Sequence, residues 1–379
     1  MTLLYDVWLS LVFGAGSKKP RAICSQYRDA KEFYEAYRSG AELPKFISEK
    51  NLVKLEKVSP EDAQTVLTEC QQTGISVITL QHKNYPKRLL RIPDAPYVLY
   101  VKGDISVCDA PTVAVVGTRN PGDYGKNCAR YISKELAQGN VTVVSGGAVG
   151  IDSISHTAAL QEGGKTVCVL GGGINCNYLD KNRQLRQNIT QSGAVISEYP
   201  PQFKPTKYSF VTRNRIISAL SDGVLVIEAG ENSGALTTAR AAMKQSIPVL
   251  SVPGAMFSES FKGSNELIKQ GAYAVFSAED VFSALGINKP TTQATKNEEI
   301  QNEPSRQFLF EKPEPSVALS QNAALAYGAF EKEEMHISEL REIAGISPQK
   351  ILIALSELEL NGIVVQSGGG KYRFNIESR

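Results

Sequence analysis

The 379-residue chain has few of the residues that build metal sites and disulfide frameworks. Its six cysteines include no C-x-x-C pair, and its three histidines (His82, His156 and His336) lie far apart in the sequence. This sparse distribution favours neither a zinc site nor a disulfide framework, and it is typical of a protein in a reducing compartment. The sequence predicts no metal and no cofactor.

Long apolar runs and a large net charge are also missing. The opening stretch MTLLYDVWLSLVFGAG contains Asp6, has no basic leader and is broken at Gly14 and Gly16, which predicts a buried helix and no membrane contact. The 41 basic and 39 acidic residues give a formal net charge of only +2. An anionic partner must therefore be met by a local patch of cations.

Four zones of the chain differ in their hydrophobic pattern. Residues 1–75 have apolar positions at helical spacing and are expected to form a small helical domain. Residues 76–286 alternate β-branched runs with amphipathic segments, which predicts an α/β domain with a doubly wound parallel sheet. Residues 287–317, rich in Pro, Gln, Asn, Thr and Glu, are predicted to be a flexible linker. Residues 318–379 have three helical segments and two short strands, the pattern of a winged helix-turn-helix.

Glycine and small polar residues follow the predicted strands, at the edge where an open α/β sheet binds ligands. Two of these loops lead into helices, with Ser233 expected to be the N-cap of the second, and helix N-termini attract anions. The alternative is that the glycines only allow tight turns and close packing. The predicted phosphate-binding loops contain Gly117, Thr118, Ser145, Gly146, Gly147, Gly150, Ser233, Gly234 and Thr237.

Two standard nucleotide motifs do not fit these loops. In SGGAVG, Ser145 takes the place of the first glycine of a dinucleotide fingerprint, and the next strand ends without the acidic residue that binds a ribose. In ALQEGGKT, Ala159 takes the place of the first glycine of a Walker A loop, and Lys165 opens a strand instead of a helix. Neither dinucleotide binding nor ATP hydrolysis is expected.

The stretch KPTKYSFVTRNRII concentrates cations and aromatics. Every charged side chain between Glu198 and Asp222 is basic, and a crossover helix is predicted over residues 210–220. Cations beside rings that stack bases are the components of a single-strand binding groove. The alternatives are a core position for Phe210 and a solvated helix face for R-N-R. The predicted single-stranded DNA contacts are Arg119, Lys207, Phe210, Arg213, Asn214 and Arg215.

The segments VAVVGTRNPGDYG, SGGAVGIDSISHTAAL and FVTRNRIISALSDGVLVIEAGENSGALTTARAAM, in this order, resemble the DprA (Smf) family of DNA-processing proteins. The resemblance runs from about residue 75 to 285. It implies a Rossmann-like domain between a SAM-like helical domain and a winged helix. It also implies a cytoplasmic homodimer, without catalysis, that binds and protects single-stranded DNA during natural transformation in competence and helps load RecA for homologous recombination. Its nucleotide contacts map onto Arg119, Lys207 and Phe210.

Three positions depart from the family's usual pattern. Val149 replaces a basic residue, so one expected phosphate contact is missing. Gln202 stands where a glycine is usual, and Val211 stands where a proline usually follows the phenylalanine. The stretch around Lys207 is therefore expected to supply a larger share of the positive charge.

Two other functions are open to a sequence of this kind. One is a Rossmann-like nucleotide phosphoribohydrolase with Glu228 or Glu231 as catalytic acid, although its P-G-G-x-G-T loop is absent. The other is a regulator that binds double-stranded DNA through PQKILIALSELELNG. In that segment Glu357 and Glu359 oppose Lys350, a poor match to a phosphate-lined groove, and contact with a protein is expected instead.

Overall fold

The structure, a computed structural model, describes residues 2–178, 180–289, 319–330, 334–368 and 370–374. These residues belong to two units, one ending before residue 290 and one beginning after residue 318. Apart from its first three residues, the predicted flexible linker lies outside the described residues.

The first unit is built on one large sheet, which confirms the predicted doubly wound α/β fold. Its strands run in the order β1-β2-β6-β5-β4-β3-β7-β8-β9. Strands β3 to β9 are parallel to one another, whereas β2 pairs antiparallel with both β6 and β1. The strands are β1 (Ser76–Thr79), β2 (Val98–Gly103), β3 (Thr112–Val116), β4 (Thr142–Ser145), β5 (Thr166–Leu170), β6 (Ala194–Ser197), β7 (Gly223–Val226), β8 (Val249–Ser251) and β9 (Tyr273–Ala274).

Helices cover both faces of this sheet. The apolar sides of α9, α10 and α11 pack into the core on one face, and those of α6, α7 and α12 pack into the core on the other. The helices of this unit are α1 (Thr2–Phe13), α2 (Lys19–Cys24), α3 (Ala30–Arg38), α4 (Glu49–Lys57), α5 (Pro60–Thr73), α6 (Asp123–Gln138), α7 (Ile151–Gln161), α8 (Arg183–Ser192), α9 (Lys207–Leu220), α10 (Ala235–Lys244), α11 (Lys262–Lys269) and α12 (Ala278–Leu285).

The N-terminal helices share a core with the antiparallel edge of the sheet. Trp8 is fully buried in a cluster that also contains Tyr97, Val98 and Tyr100 from β2 and the residue before it. Helix α5 ends at Gly74, whose φ of 68° is the left-handed conformation that favours glycine. Helices α1 to α5 therefore lie in the same unit as the sheet.

The second unit is a winged helix, as the sequence predicts. Its strands form an antiparallel sheet in the order β10-β12-β11, and Phe330, Leu355 and Phe374 are buried in its core. The sequence pattern did not show the first of these strands, which is only three residues long. The elements are α13 (Gln321–Gly328), β10 (Glu334–His336), α14 (Ile337–Ala344), α15 (Pro348–Leu360), β11 (Val364–Gly368) and β12 (Lys371–Phe374).

His156 is a fully buried titratable group in the first unit. Its Nδ1 lies 2.6 Å from Oγ1 of Thr166, and that hydroxyl donates its own hydrogen to the carbonyl of Val143. The imidazole must then donate from Nδ1, and its Nε2 is buried without a hydrogen-bond partner among the described residues, an environment that favours the neutral form. Burial, assisted by the nearby positive charge of Arg213, lowers the pKa of His156 to about 3.

We expect His156 to make the fold less stable in mild acid. The unfolded chain binds a proton at this side chain below about pH 6.5, whereas the folded protein keeps it neutral. The stabilising contribution is present above that pH and is lost as the pH falls, by up to about 1.4 kcal/mol per pH unit. Urea unfolding of the wild type and of His156→Asn between about pH 7 and 5 measures this. The variant should show the flatter pH dependence, and equal slopes would contradict the assignment.

Candidate nucleic-acid interface

A cavity of about 510 Å³ opens at the carboxyl edge of the sheet, between β3 and β7. From β3 the chain proceeds to β4, β5 and β6 on one side and then returns through α9 to β7 on the other. The cavity therefore lies at the topological switch point, where open α/β sheets bind ligands. We call it the switch-point cavity. The predicted site residues that line it are Gly117, Thr118, Arg119, Phe210, Arg213, Asn214, Ser233, Gly234 and Thr237.

The ring of Phe210 forms one wall of this cavity. Gly171 lies beneath it, where an added Cβ would come within 2.7 Å of the ring, and Tyr178 makes an edge contact at a centroid distance of 6.1 Å. The guanidinium of Arg119 is 5.8 Å from the ring centroid, within reach of a cation–π interaction. Phe210 is only partly buried, so the alternative of an ordinary core position is wrong.

Helix α9 begins three residues earlier than the sequence predicted. A capping box fixes its start: Oγ1 of Thr206 accepts from the Ser209 amide at 3.2 Å, and Oγ of Ser209 accepts from the Thr206 amide at 2.9 Å. Lys207 is therefore the first helical residue, exposed and one turn before Phe210. The helix N-terminus adds its own partial positive charge beside this lysine.

Arg213, predicted to contact DNA, is instead bound to groups of the protein itself. Its side chain is buried, and its guanidinium donates to the carbonyl of Gly146 at 2.9 Å and to the carbonyl of Val169. Asp152 is close enough for the charge of Arg213 to lower the carboxyl pKa, although burial raises that pKa more strongly. Arg213 thus supports the cavity wall by bridging the loop after β4 to β5.

Arg215, also predicted to contact DNA, is buried and forms ion pairs within the protein. Its Nη2 lies 2.5 Å from Oε2 of Glu198, and its Nε lies 3.3 Å from Oδ2 of Asp94. The other oxygen of Glu198 accepts from the Gly16 amide at 3.0 Å. The alternative of a solvated R-N-R face is also wrong. Both acids lie outside the all-basic stretch, so its local composition gave no sign of the pairing.

The loop between β4 and α7 is filled by groups of the protein itself. Oγ of Ser145 donates to the carbonyl of Val115 at 2.6 Å, and the amide of Ala148 donates to Asp152 at 3.3 Å. The first amide of α7, on Ile151, donates to the carbonyl of Thr118 at 3.2 Å. The proposed anion site at this helix start is therefore occupied by protein acceptors.

The glycines of that loop allow close packing, the alternative left open by the sequence. A Cβ on Gly146 would lie 2.7 Å from the guanidinium of Arg213. One on Gly147 would lie 2.5 Å from Sγ of Cys168, and one on Gly150 would overlap the backbone of Thr118. None of these three glycines is among the residues that line the switch-point cavity.

The loop between β7 and α10 brings polar groups to the opposite wall. Nδ2 of Asn214 donates to Oγ1 of Thr237 at 2.6 Å, and this hydroxyl donates to the carbonyl of Gly234 at 2.7 Å. Helix α10 begins at Ala235 with Gly234 as its N-cap, one residue later than predicted, while Oγ of Ser233 accepts from the Ala235 amide at 3.3 Å. This helix start does line the cavity.

Neither Glu228 nor Glu231, the candidate catalytic acids of the phosphoribohydrolase alternative, lines the switch-point cavity. Glu228 is 1% exposed, and its carboxylate accepts from the Gly122 amide at 3.1 Å, at the start of α6. A Cβ on Gly125 would collide with the same carboxylate. Glu228 therefore stabilises a helix N-terminus, while Glu231 is exposed on the following loop.

Two of the departures from the family pattern have identifiable surroundings. Nε2 of Gln202 donates to Oε1 of Glu69 at 2.7 Å, which ties its loop to α5. Val211 lines the switch-point cavity and is 55% exposed. Val149, on the loop before α7, is 41% exposed.

Helix α15 of the winged helix presents an apolar face to solvent. Leu352, Ile353 and Leu360 are 52%, 66% and 89% exposed, beside Glu357 and Glu359. Apolar and acidic groups complement a protein surface better than a row of phosphates. This matches the preference for protein contact that the sequence indicated.

Within the described ranges, no three or more His, Cys, Asp or Glu side chains gather in a way that could hold a metal ion. The six cysteines are free thiols. None of the helices that the structure describes is long and apolar enough to cross a membrane.

Two family models match the chain. The one for DNA recombination-mediator protein A covers residues 76–286, and the one for the DprA winged helix domain covers residues 310–370. DNA processing protein DprA of Bacillus subtilis is 42% identical over 221 residues, which are 58% of this chain and 74% of that protein. Protein Smf of Synechocystis is 32% identical over 326 residues, 81% of this chain and 82% of that protein.

Solved structures of two relatives have the same fold. DprA of Streptococcus pneumoniae superposes with a TM-score of 0.64 at 30% identity, covering 74% of this chain and 97% of that one. DNA processing protein A of Helicobacter pylori, described with a unique single-stranded DNA binding mode, gives a TM-score of 0.51 at 34% identity, covering 56% of this chain and 95% of that one. With its sheet, its winged helix and these matches together, the chain belongs to the DNA recombination-mediator protein A family, the DprA (Smf) proteins.

Proposed function

We propose that this protein binds single-stranded DNA in the cytoplasm during natural transformation, protects the entering strand and helps RecA assemble on it for homologous recombination. The observation that carries the proposal is the pairing of a partly exposed ring, Phe210, with the exposed cation Arg119 at the switch-point cavity, while the exposed Lys207 lies one turn before Phe210 on α9. A ring for a base and cations for the backbone are what single-strand binding requires. No catalytic step is needed.

Each side chain has a distinct part in the proposed complex. Phe210 stacks on a base, which contributes about 1–3 kcal/mol. Lys207 and Arg119 contact phosphates, and Asn214 and Thr237 offer hydrogen bonds on the facing wall. Arg213 keeps the loops in position from below.

The position of the ring also favours a single strand over a duplex. Phe210 lies in the wall of a cavity with its ring held by Gly171 and Tyr178. A base reaches such a ring only after leaving its stack, which in a duplex costs a few kcal/mol of unpairing and unstacking. A strand that is already single avoids that cost.

The first prediction concerns the choice between single and double strands. A gel shift of the wild type should show tighter binding to an oligonucleotide than to the matching duplex. The triple variant Arg119→Ala, Lys207→Ala and Phe210→Ala should lose most of the single-strand affinity, because both the stacking and the local charge are removed. Circular dichroism confirms that the variant is folded. Equal affinity of the wild type for both DNA forms would overturn the proposal.

The second prediction separates stacking from charge. Lys207→Gln should reduce the magnitude of the slope of log K against log salt by about 0.7, the value for one phosphate contact on a single strand. Phe210→Leu keeps an apolar side chain over Gly171 and should weaken binding by about 1–3 kcal/mol with the slope unchanged. Fluorescence anisotropy titrations at several salt concentrations measure both, and Lys207→Arg, which keeps the charge, is the control. If the two neutral variants lose the same slope, this division of roles is wrong.

We propose, as part of the same function, that the protein acts as a homodimer through the Rossmann-like domain. Exposed aromatic side chains after the last two strands at one end of the sheet support this: Phe257 follows β8 and is 90% exposed, and Phe276 follows β9 and is 81% exposed. β9 is also an edge strand of the sheet. Such a surface gains free energy when a second protein covers it.

Sedimentation velocity tests this dimer. Phe276→Glu should shift the wild-type boundary toward the monomer, because a charge would have to be buried in the interface. Tyr131→Glu, on α6 and 47% exposed, is the control that places the same charge elsewhere and should leave the boundary unchanged. A wild type that sediments as a monomer at every concentration would contradict the proposal.

The RecA step is supported by family membership and has its own measurement. RecA should cover a strand that already carries this protein and single-strand binding protein faster than a strand that carries only the latter. Absence of acceleration would remove the RecA step and leave DNA binding intact.

A further inference from the structure

Helix α9 links the two edges of the sheet. It begins at Lys207, beside the switch-point cavity, and ends at Leu220, just before the amino end of β7. With 14 residues it is about 20 Å long. Any polymer that follows this helix away from the cavity reaches the opposite edge of the sheet.

A basic loop from the N-terminal helices packs against the middle of α9. A Cβ on Gly16 would lie 3.0 Å from Cγ2 of Thr212 and 3.8 Å from the guanidinium of Arg215. Lys18 and Arg21 follow this contact and are both exposed. These two cations are therefore attached beside the helix, about halfway along it.

An exposed ring lies on the same side of α9 as this loop. Tyr208 precedes Thr212 by four residues, which places both on one helix face, and it is 75% exposed. Phe210 faces the cavity instead. The start of α9 thus has one ring for the cavity and one for the side where Lys18 and Arg21 lie.

A second basic cavity lies near the far end of α9. It has a volume of about 580 Å³, and its lining includes the exposed cations Lys83, Lys87 and Arg91, with Asp109 as its acidic residue. Arg88 in the same wall is paired with Asp222, the residue before β7, at 2.9 Å. This pairing fixes the cavity at the amino edge of the sheet, and we call it the amino-edge cavity.

The basic loop and the amino-edge cavity are neighbours. Arg215, against which Gly16 packs, forms an ion pair at 3.3 Å with Asp94, which follows Arg91 of the cavity wall by three residues. One guanidinium thus holds both the start of the basic loop and the chain segment that leaves the cavity wall. None of Lys18, Arg21, Lys83, Lys87 and Arg91 forms an ion pair within the part of the chain that the structure describes.

We propose that these five cations form a track along α9 that binds the phosphodiester backbone of a DNA strand leaving the switch-point cavity. We call it the α9 track: Lys18, Arg21, Lys83, Lys87 and Arg91, with Tyr208 as its first ring. The proposal rests on the proposed function, since it extends the same strand. Because the net charge of the chain is only +2, these five cations without ion-pair partners form a local concentration of positive charge. The phosphates of a DNA strand would complement that charge.

The test compares a strand that fills only the switch-point cavity with one that is long enough for the track. Binding of oligothymidylates of about 4 and about 16 nucleotides is measured against salt for the wild type, Lys18→Ala/Arg21→Ala and Lys83→Ala/Lys87→Ala. Each double variant should bind the short strand like the wild type. On the long strand each should lose affinity, and the salt slope should shrink by about 1.4, which corresponds to two phosphate contacts.

A matched control removes the same charge from the other face of the sheet. Arg130→Ala/Lys134→Ala changes two cations on α6, whose apolar side packs into the core opposite α9. It should bind both strands like the wild type. Equal losses in the control and the track variants, or a loss on the short strand in the track variants, would overturn the α9 track.

The outcomes also separate this inference from the proposed function. If Phe210→Leu weakens binding of both strands while the track variants bind the long strand normally, the function stands and the track is wrong. If Phe210→Leu binds both strands normally, the switch-point cavity is not the DNA site. The track is then also wrong as an exit from it.

Discussion

The ion pairs of Arg215 are the constraint on which the rest of the first unit depends. The guanidinium of Arg215 forms ion pairs with Glu198, the residue after β6, and with Asp94, in the segment before β2. The carboxylate of Glu198 also accepts a hydrogen bond from the amide of Gly16. Four distant parts of the sequence are thereby fixed around one charge on α9. Because removing one partner of a buried pair leaves an uncompensated charge, at a cost of about 3–5 kcal/mol, this arrangement tolerates little change.

The buried arginines let α9 present a different side to solvent. Arg213 and Arg215 face inward and hold, respectively, the loops around the cavity and the N-terminal helices. Lys207, Tyr208 and Phe210, in the first turn, remain accessible. The first turn of this basic helix can therefore meet a ligand, whereas its later turns build the fold.

Much of this could be read from the sequence, because the signals were local. Apolar β-branched runs predicted the parallel strands, and the glycine loops after them predicted the edge that holds the cavity. The basic and aromatic stretch around Lys207 and Phe210 predicted candidate ligand contacts, and both residues lie in the first turn of α9. Helix α9 begins before the predicted residue 210, and the signal for its start, Thr206 and Ser209 three residues apart, is a capping pattern present in the sequence.

What the sequence could not show is long-range pairing. Arg213 and Arg215 are buried because they bind carbonyl groups and acidic side chains that are neighbours only after folding. Asp94, for example, lies 121 residues before Arg215 in the sequence. The glycines of the β4 loop are ambiguous for the same reason, since a glycine that approaches a ligand and one that approaches an arginine look alike. The absence of acidic residues near Arg215 in the sequence predicted an unpaired cation, but folding places acidic residues from distant segments beside it.

The antiparallel strand β2 has a consequence for how the chain is made. The N-terminal helices bury Trp8 against Tyr97, Val98 and Tyr100, and β2 in turn pairs with β6, which begins only at Ala194. During synthesis β2 can pair on one side with β1, which precedes it, but its other side has no partner strand until β6 has been made. The side of β2 that faces β6 is therefore an unpaired strand edge, open to chaperones or to neighbouring chains, until more than half of the protein has been synthesised.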